Sequence, residues 1–275
     1  MSILTLSERV QDIWGLFWKM IGVSARAQMQ YRASFLMMTL GQLLTTSTEF
    51  LAIWALFQRF GSLRGWGLAE VALFYGMTNI AFALAEGIGR GFDLFPNLVK
   101  SGDFDRLLLR PRSLAFQVAA REVSLRTGRL LQGFVVLFWS MRHLHVEWTP
   151  ARLLLVILIV AGGMCLFYGL FVLQATLSFW TIESLEIMNT ITYGGTETAQ
   201  DPMTIYRPWF RRFFTFVIPL ACINYLPAGL LLTRPHPLLS QASWLYMAPL
   251  VGVLFLVVSL QAWKVGVRHY CSTGS

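Results

Sequence analysis

His143 and His145 stand two residues apart and could share a metal ion, because a neutral imidazole is a ready zinc ligand. No third ligand accompanies them, so they read as solvated loop residues, and His236 and His269 likewise lie outside the apolar segments. The H-E-x-x-H spacing, which puts two imidazoles on one helical face, is absent. So is the G-x-x-x-x-G-K-[ST] loop whose backbone amides cradle nucleotide phosphates. No Ser/His/Asp arrangement and no carboxylate pair suggests acid–base or nucleophilic catalysis. The three cysteines are scattered, with Cys165 and Cys222 inside apolar stretches, and spell neither a disulfide framework nor a zinc site. The sequence therefore nominates no catalytic residue, no metal ligand and no cofactor held by this chain.

The polar residues that remain notable are those embedded in apolar surroundings. Thr45, Thr46, Ser47, Thr48 and Glu49 form a hydrophilic patch deep in an apolar run. A carboxylate in lipid is costly, so Glu49 should face a bundle interior, find a partner or take up a proton. Such a patch suits a pathway or a subunit contact, and it equally suits ordinary interhelical hydrogen bonding by Ser and Thr. A second apolar run carries Pro219 and Pro227 with Asn224 between them. Each proline removes a backbone donor and bends the helix, and lipid cannot satisfy the freed carbonyls, so this run should pack on protein or line a cavity.

The elements that would position these residues follow from composition. Hydrophobic residues make up 56% of the 275 and charged residues only 13%, about half the charge of an ordinary soluble domain. That surplus of apolar surface has to meet lipid. The net charge of +8 does not point to nucleic acid, because the basic residues sit at the edges of apolar segments and no hydrophilic domain interleaves them with aromatics. At about 20 residues per crossing, six spans are expected, over about 34–57, 68–88, 130–141, 152–180, 213–232 and 244–263. The fold class is thus an all-α membrane protein. The third span is short. Glu122, Arg126 and Arg129 precede or open it at i, i+4 and i+7, one helical face, which suggests a continuous helix whose first turns stand outside the hydrocarbon. An ionic cluster inside the bundle is the alternative.

Residues 1–33 are too polar to span. Val10, Ile13, Trp14, Phe17 and Ile21 recur at three- and four-residue steps, and Thr5 and Glu8 have capping-box spacing. An amphipathic helix in the membrane interface fits, with Trp14 and Trp18 at the headgroups, as does a helix packed on other protein. No cleavable signal peptide is expected. Counting Lys and Arg puts seventeen on the side of the termini and five opposite, so both termini should be cytoplasmic. Two cytoplasmic loops then stand out. Residues 89–112 read as a helical hairpin in which Phe92, Phe95 and Val99 offer an apolar face beside Asp93 and Lys100. Residues 183–211 are broken by Gly194 and Gly195 and by Pro202 and Pro208.

These two loops carry a resemblance. GDFDRLLLRPRSLAFQV at 102–118 resembles the segment after the second span in permease subunits of type-2 ABC exporters, in the six-span bacterial branch that works with a separate drug-exporter-like ATPase. DPMTIYRPWFRRFFTFVIPLACINYLPA at 201–228 is similar to that branch's approach to its proline-containing helix, with Asp201 standing where an aromatic precedes the proline. The likeness extends over nearly the whole chain in span order. It implies two permeases, same or related, and two ABC ATP-binding subunits, with ATP and Mg bound on those partners. It also implies a cell inner membrane location. The 89–112 loop would contain the helix that seats in a groove of the ATPase, with Phe92, Asp93, Phe95, Val99, Asp103, Asp105 and Arg106 as its coupling residues. Thr45, Thr46, Thr48, Glu49, Pro219, Asn224 and Pro227 would border the pathway or dimer interface.

The function so implied is export or flipping of an amphipathic or lipidic substrate on ATP hydrolysed by the partner. A membrane-embedded enzyme would instead need a cluster of nucleophiles or metal ligands at one membrane face. An ion-coupled secondary transporter would need internal repeats or more intramembrane acids.

Overall fold

The computed structural model describes residues 6–181, 185–232 and 247–270. It is all helix; among these residues the only extended pairing is a single bridge between Leu63 and Trp66. Helix α1 (Leu6–Gln30) ends at Tyr31, whose φ of −98° and ψ of 75° separate it from α2 (Arg32–Phe60). The expected capping residue Thr5 lies outside the described residues, as does the side chain of Trp14; Trp18 is 63% exposed. The 29 residues of α2 reach about 44 Å at 1.5 Å each. A turn leads to α3 (Leu68–Asp93), which runs with little interruption into the short α4 (Phe95–Lys100); turns then lead to α5 (Asp103–Leu108) and α6 (Leu114–Arg121).

The expected continuous third helix is two pieces. Glu122 is extended, at φ −143° and ψ 116°, and the helix restarts only at α7 (Thr127–His143). Backbone groups of the intervening stretch find partners elsewhere: Ser124 N donates to Gly87 O at 3.0 Å, and the Gln28 side chain takes Leu125 N and gives to Val123 O. Glu122, Arg126 and Arg129 therefore do not share a helical face. Helix α8 (Pro150–Leu177) begins where a helix should, with Thr149 accepting from Arg152 N and proline at its first position.

The fifth span is the larger correction. The cytoplasmic loop expected over 183–211 contains a 16-residue helix. Helix α9 (Leu185–Gln200) lies antiparallel along α3: Asn189 is linked through Gln174 to Asp93, Tyr193 meets Phe82, and Ala199 O accepts from Thr78. The chain then reaches the far end of α3, where Arg64 and Trp66 donate to Thr204 in the 3-10 turn Met203–Ile205. The expected proline-bent span over 213–232 is a helix pair, Pro208–Val217 and Ala221–Leu231, bent by 84° around Pro219. Phe214 and Leu220 reach Gly195, Asn224 reaches Thr78, and Tyr225 returns to Phe74 and Trp66. The pair, containing α10 (Pro208–Arg212) and α11 (Leu226–Leu231), dips into the bundle and comes back toward the end it left. Residue 219 breaks the run because proline has no amide to donate, and two π-turns (Phe213–Val217 and Ala221–Tyr225) absorb the strain on either side.

Helix α12 (Leu250–Arg268) closes the core, and the expected start of the sixth span at 244 lies outside the described residues. It runs parallel to α8 at a constant register: Gly162 meets Gly252, Gly169 meets Ser259, and Thr176 meets Gly266. A Cβ at Gly252 would collide with the carbonyl of Gly162, so the backbones touch here only because neither residue carries a side chain. Helix α3 is parallel to α8 as well, with Ala81 against Gly163 and Gly89 against Phe171. Helix α7 is antiparallel to α3, placing Leu137 on Gly76 and Gly133 on Ile80, and α2 packs outside it.

Three runs are long and apolar enough to cross a membrane, namely Leu68–Lys100, Pro150–Leu177 and Leu250–Arg268, and the bent pair would be a fourth if it counted as one span. Helices α7 and α9 have only 17 and 16 residues, and α2 carries its polar patch.

Candidate translocation and coupling elements

A column of polar contacts follows α3 through an otherwise apolar bundle. Glu86 is buried, and both of its oxygens face arginine: Arg126 Nη2 at 2.6 Å and Arg129 Nη1 at 3.9 Å. Arg129 also lies over the Phe82 ring, 5.0 Å from its centre. One turn on, Arg90 pairs with Asp93, whose other oxygen accepts from Gln174 at 3.2 Å; the same Gln174 nitrogen donates to Asn189. The ionic cluster thus exists within the bundle, and its counter-ion is Glu86, which the sequence reading did not single out. The signal was present. Glu86, Arg90 and Asp93 fall at i, i+4 and i+7 at the end of an apolar run, on one face of a helix. Burying charge is tolerable only when paired, and here two guanidiniums share one carboxylate.

Toward the other end of α3 hydrogen bonds take over from ion pairs. Thr78 Oγ1 donates to Ala199 O at 3.0 Å, and Asn224 Nδ2 donates to both Ala199 O and Thr78 Oγ1 at 2.6 and 2.9 Å. Tyr75 OH donates to Thr46 O at 2.8 Å and lies 3.4 Å from Glu49 Oε2, while Gln132 Nε2 reaches Thr46 O at 3.3 Å. The threonines of the α2 patch satisfy themselves. Thr45, Thr46 and Thr48 each donate to the carbonyl four residues back, at 3.0, 2.9 and 2.8 Å. Only Thr46 is buried. The proposed pathway residues thus separate into two groups. Thr46 and Glu49 meet Tyr75 beside α7, whereas Asn224 meets Thr78 beside α9, with Pro219 at the bend and Pro227 buried behind it.

The hairpin of α4 and α5 also differs from expectation. Phe92 and Phe95 are fully buried and Val99 nearly so. The rings of Phe92 and Phe95 stand 5.2 and 4.9 Å from Trp263, and Phe95 meets Phe104 and Phe179 at 5.0 and 5.2 Å. The apolar face of the hairpin is spent inside the chain, seating it on α8 and α12, so it offers nothing outward. Asp93 turns inward to Gln174, and Asp105 accepts from Tyr270 OH at 2.9 Å. Asp103 faces Arg106 and Arg121 at 3.5 and 3.8 Å, and Arg106 is largely solvent-facing. Gly102, at φ +71°, makes the left-handed turn between the two short helices that a side chain would resist. What the hairpin does present is its far edge: Leu109 is 86% exposed, beside Leu108 and the stretch 110–113.

Residues 43–274 match the family described as ABC-2 family transporter protein, and no curated protein and no solved structure matches. The chain belongs to the ABC-2 transporter family. As an ABC-2 chain it is a multi-pass membrane permease of an ABC transporter, and an ABC ATP-binding subunit is its partner.

In this ABC-2 permease a cleft of about 550 Å³ opens between α2 and α7, lined by Leu43, Phe50, Trp54, Val135 and Trp139, with Gln132 on its floor. At the end of α3 away from the hairpin, burial pushes the Asp201 carboxyl above the usual carboxylate range. Burial, with the Asp201 charge as a second cause, also raises the neighbouring Tyr206 phenol. His143 is engaged by its own helix, its Nδ1 at 2.8 Å from Trp139 O and its ring stacked on that indole.

Proposed function

We propose that this chain exports or flips an amphipathic or lipidic substrate, driven by ATP hydrolysed on separate subunits, in an assembly of two permeases and two ATP-binding subunits. The observation that carries the coupling role is the seating of the hairpin. Its aromatic underside is locked to α8 and α12 while its edge at Leu108 and Leu109 stands free. A lever needs both a rigid root and an accessible contact. The root here is a cluster of seven interlocked rings, and the contact is apolar with a basic rim of Arg106, Arg110 and Arg112. Arginine is enriched among the residues that dominate interfaces, and apolar neighbours of this kind exclude water around it. An amphipathic or lipidic substrate suits the mostly apolar α2–α7 cleft with Gln132 on its floor and Tyr75 behind it.

The hairpin end is the cytoplasmic end, and both termini are cytoplasmic, in a cell inner membrane. Placing Arg207, Arg211 and Arg212 on the opposite side, with Thr204 at Trp66, leaves fourteen basic residues against eight, the same sign of bias. Six crossings then result, with α9 as the fifth and the bent pair as a loop returning to the outside.

The test is Leu108→Ser with Leu109→Ser in the intact permease. The expected result is unchanged thermal unfolding in detergent, with loss of copurifying ATP-binding subunit. Full retention of that subunit and of substrate-stimulated hydrolysis would remove the coupling role from this edge.

A further inference from the structure

A second cleft, of about 560 Å³, lies at the hairpin end between α12 and the start of α6, apart from the charged column and meeting the exposed edge only at Ser113. Its α12 wall is graded. Val257 and Leu260 line the part nearer the bundle's middle, and Lys264 and Arg268 line the part at the helix end. Lys264 and Arg268 are four residues apart and so project from one face. Neither forms an ion pair among the described residues, and no acidic residue lines the cleft. The opposite wall is Ser113, Leu114 and Ala115, which follow the basic Arg110 and Arg112. From Val257 to Arg268 is eleven residues, about 16 Å along the helix. The cleft therefore runs from apolar to cationic over a distance comparable to a headgroup plus the first part of an acyl chain.

We infer that this cleft is a binding site for an anionic phospholipid of the leaflet at the hairpin end. Its phosphate would lie against Lys264 and Arg268, and an acyl chain would lie along Leu260 and Val257. The charge order decides in favour of this occupant. A soluble anion would have no use for the apolar half, and a neutral lipid would leave two cations uncompensated at a surface where each contributes attraction to anionic headgroups. The floor of the cleft includes Trp263, whose other side is packed on Phe92 and Phe95, so the bound lipid would press on the root of the hairpin. This site is independent of the transport assignment, and its test needs no ATPase.

The experiment uses the purified full chain in detergent, titrated separately with dioleoyl phosphatidylglycerol, dioleoyl phosphatidylcholine and inorganic phosphate. Retained lipid is read by native mass spectrometry and stability by thermal unfolding. Phosphatidylglycerol should be retained and should stabilise the wild type, and phosphatidylcholine and phosphate should do neither. Lys264→Gln and Arg268→Gln should each weaken retention about fivefold, the equivalent of one cation at an anionic surface. Leu260→Trp, which fills the apolar half and leaves both charges in place, should also lower retention. Equal retention of the two lipids, or full retention by the Lys264→Gln/Arg268→Gln double variant, would overturn the site. Stabilisation by phosphate alone would show a simple anion site and overturn the phospholipid assignment. A cysteine at Val257 that crosslinks readily to a second copy would show the cleft covered by protein, and would overturn it too.

Discussion

Arg126 and Glu86 lie forty residues apart in the chain and 2.6 Å apart in the bundle. The contact ties the start of α7 to the inner part of α3 just after the chain has left helical geometry at Glu122. It is the place where a break in one helix is held by charge to another.

Glu86→Ala strands two guanidiniums that are each about one-fifth exposed. The expected cost is about 2–4 kcal/mol, at or below the usual range for breaking a buried pair because some water reaches the arginines. Adding Arg126→Ala should recover part of that loss. Thermal unfolding of the two single variants and the double variant in detergent checks the coupling; additive losses would mean the pair contributes no interaction of its own.

Phe95 and Leu109 belong to the same hairpin and should respond oppositely to truncation. Phe95→Ala empties the centre of the ring cluster and should cost about 3–5 kcal/mol, whereas Leu109→Ala, fully exposed at its edge, should stay within about 0.5 kcal/mol. Chemical unfolding curves of the two variants suffice. Equal tolerance of both would mean that the hairpin is not seated on Trp263.

Asp201 should make the protein less stable as pH rises. Burial raises its folded-state pKa above the unfolded value, so the folded chain holds the extra proton, and stability declines between the unfolded pKa and the folded one. Asp201→Asn should therefore be more stable than the wild type at neutral pH and show a flatter stability profile across the mildly acidic range. A wild-type profile rising with pH over that window, unchanged by the substitution, would contradict the burial.

Arg207→Cys and Lys100→Cys should react with an impermeant thiol reagent from opposite sides of the membrane, because Thr204 is bound to Arg64 and Trp66 at the end of α3 remote from the hairpin. Labelling of both from one side would return 183–211 to a connector at the hairpin end.

The apolar spans were legible because composition alone fixes them: α3 and α8 fall close to where the hydropathy puts them. Helix α9 was not, and the reason is physical. Its Asn189, Thr192, Thr196 and Thr198 make it read as a loop, yet Thr196 and Thr198 donate to carbonyls of the helix itself and Asn189 accepts from Gln174 of α8. Hydropathy measures what faces lipid, and a helix sheltered by neighbours escapes it. The hairpin aromatics failed differently. An apolar face on a short helix indicates burial without naming what buries it, and Trp263, far along the chain, was the partner. Thr46 is buried against Tyr75 and Gln132, whereas Glu49 stays exposed with Tyr75 OH at 3.4 Å, and the runs that hold Tyr75 and Gln132 give no hint of either contact.

The placement of Trp263 has a consequence for biogenesis. Helix α12 is the last described helix to leave the ribosome, and until it inserts beside α8 the rings of Phe92 and Phe95 have an open flank. A nascent chain can thus thread α3 and α8 long before the hairpin between α3 and α7 acquires a firm seat. Partner recruitment through that hairpin would then wait for α12 to insert, and a permease stalled before residue 250 would show the quality-control machinery an aromatic surface rather than a finished lever.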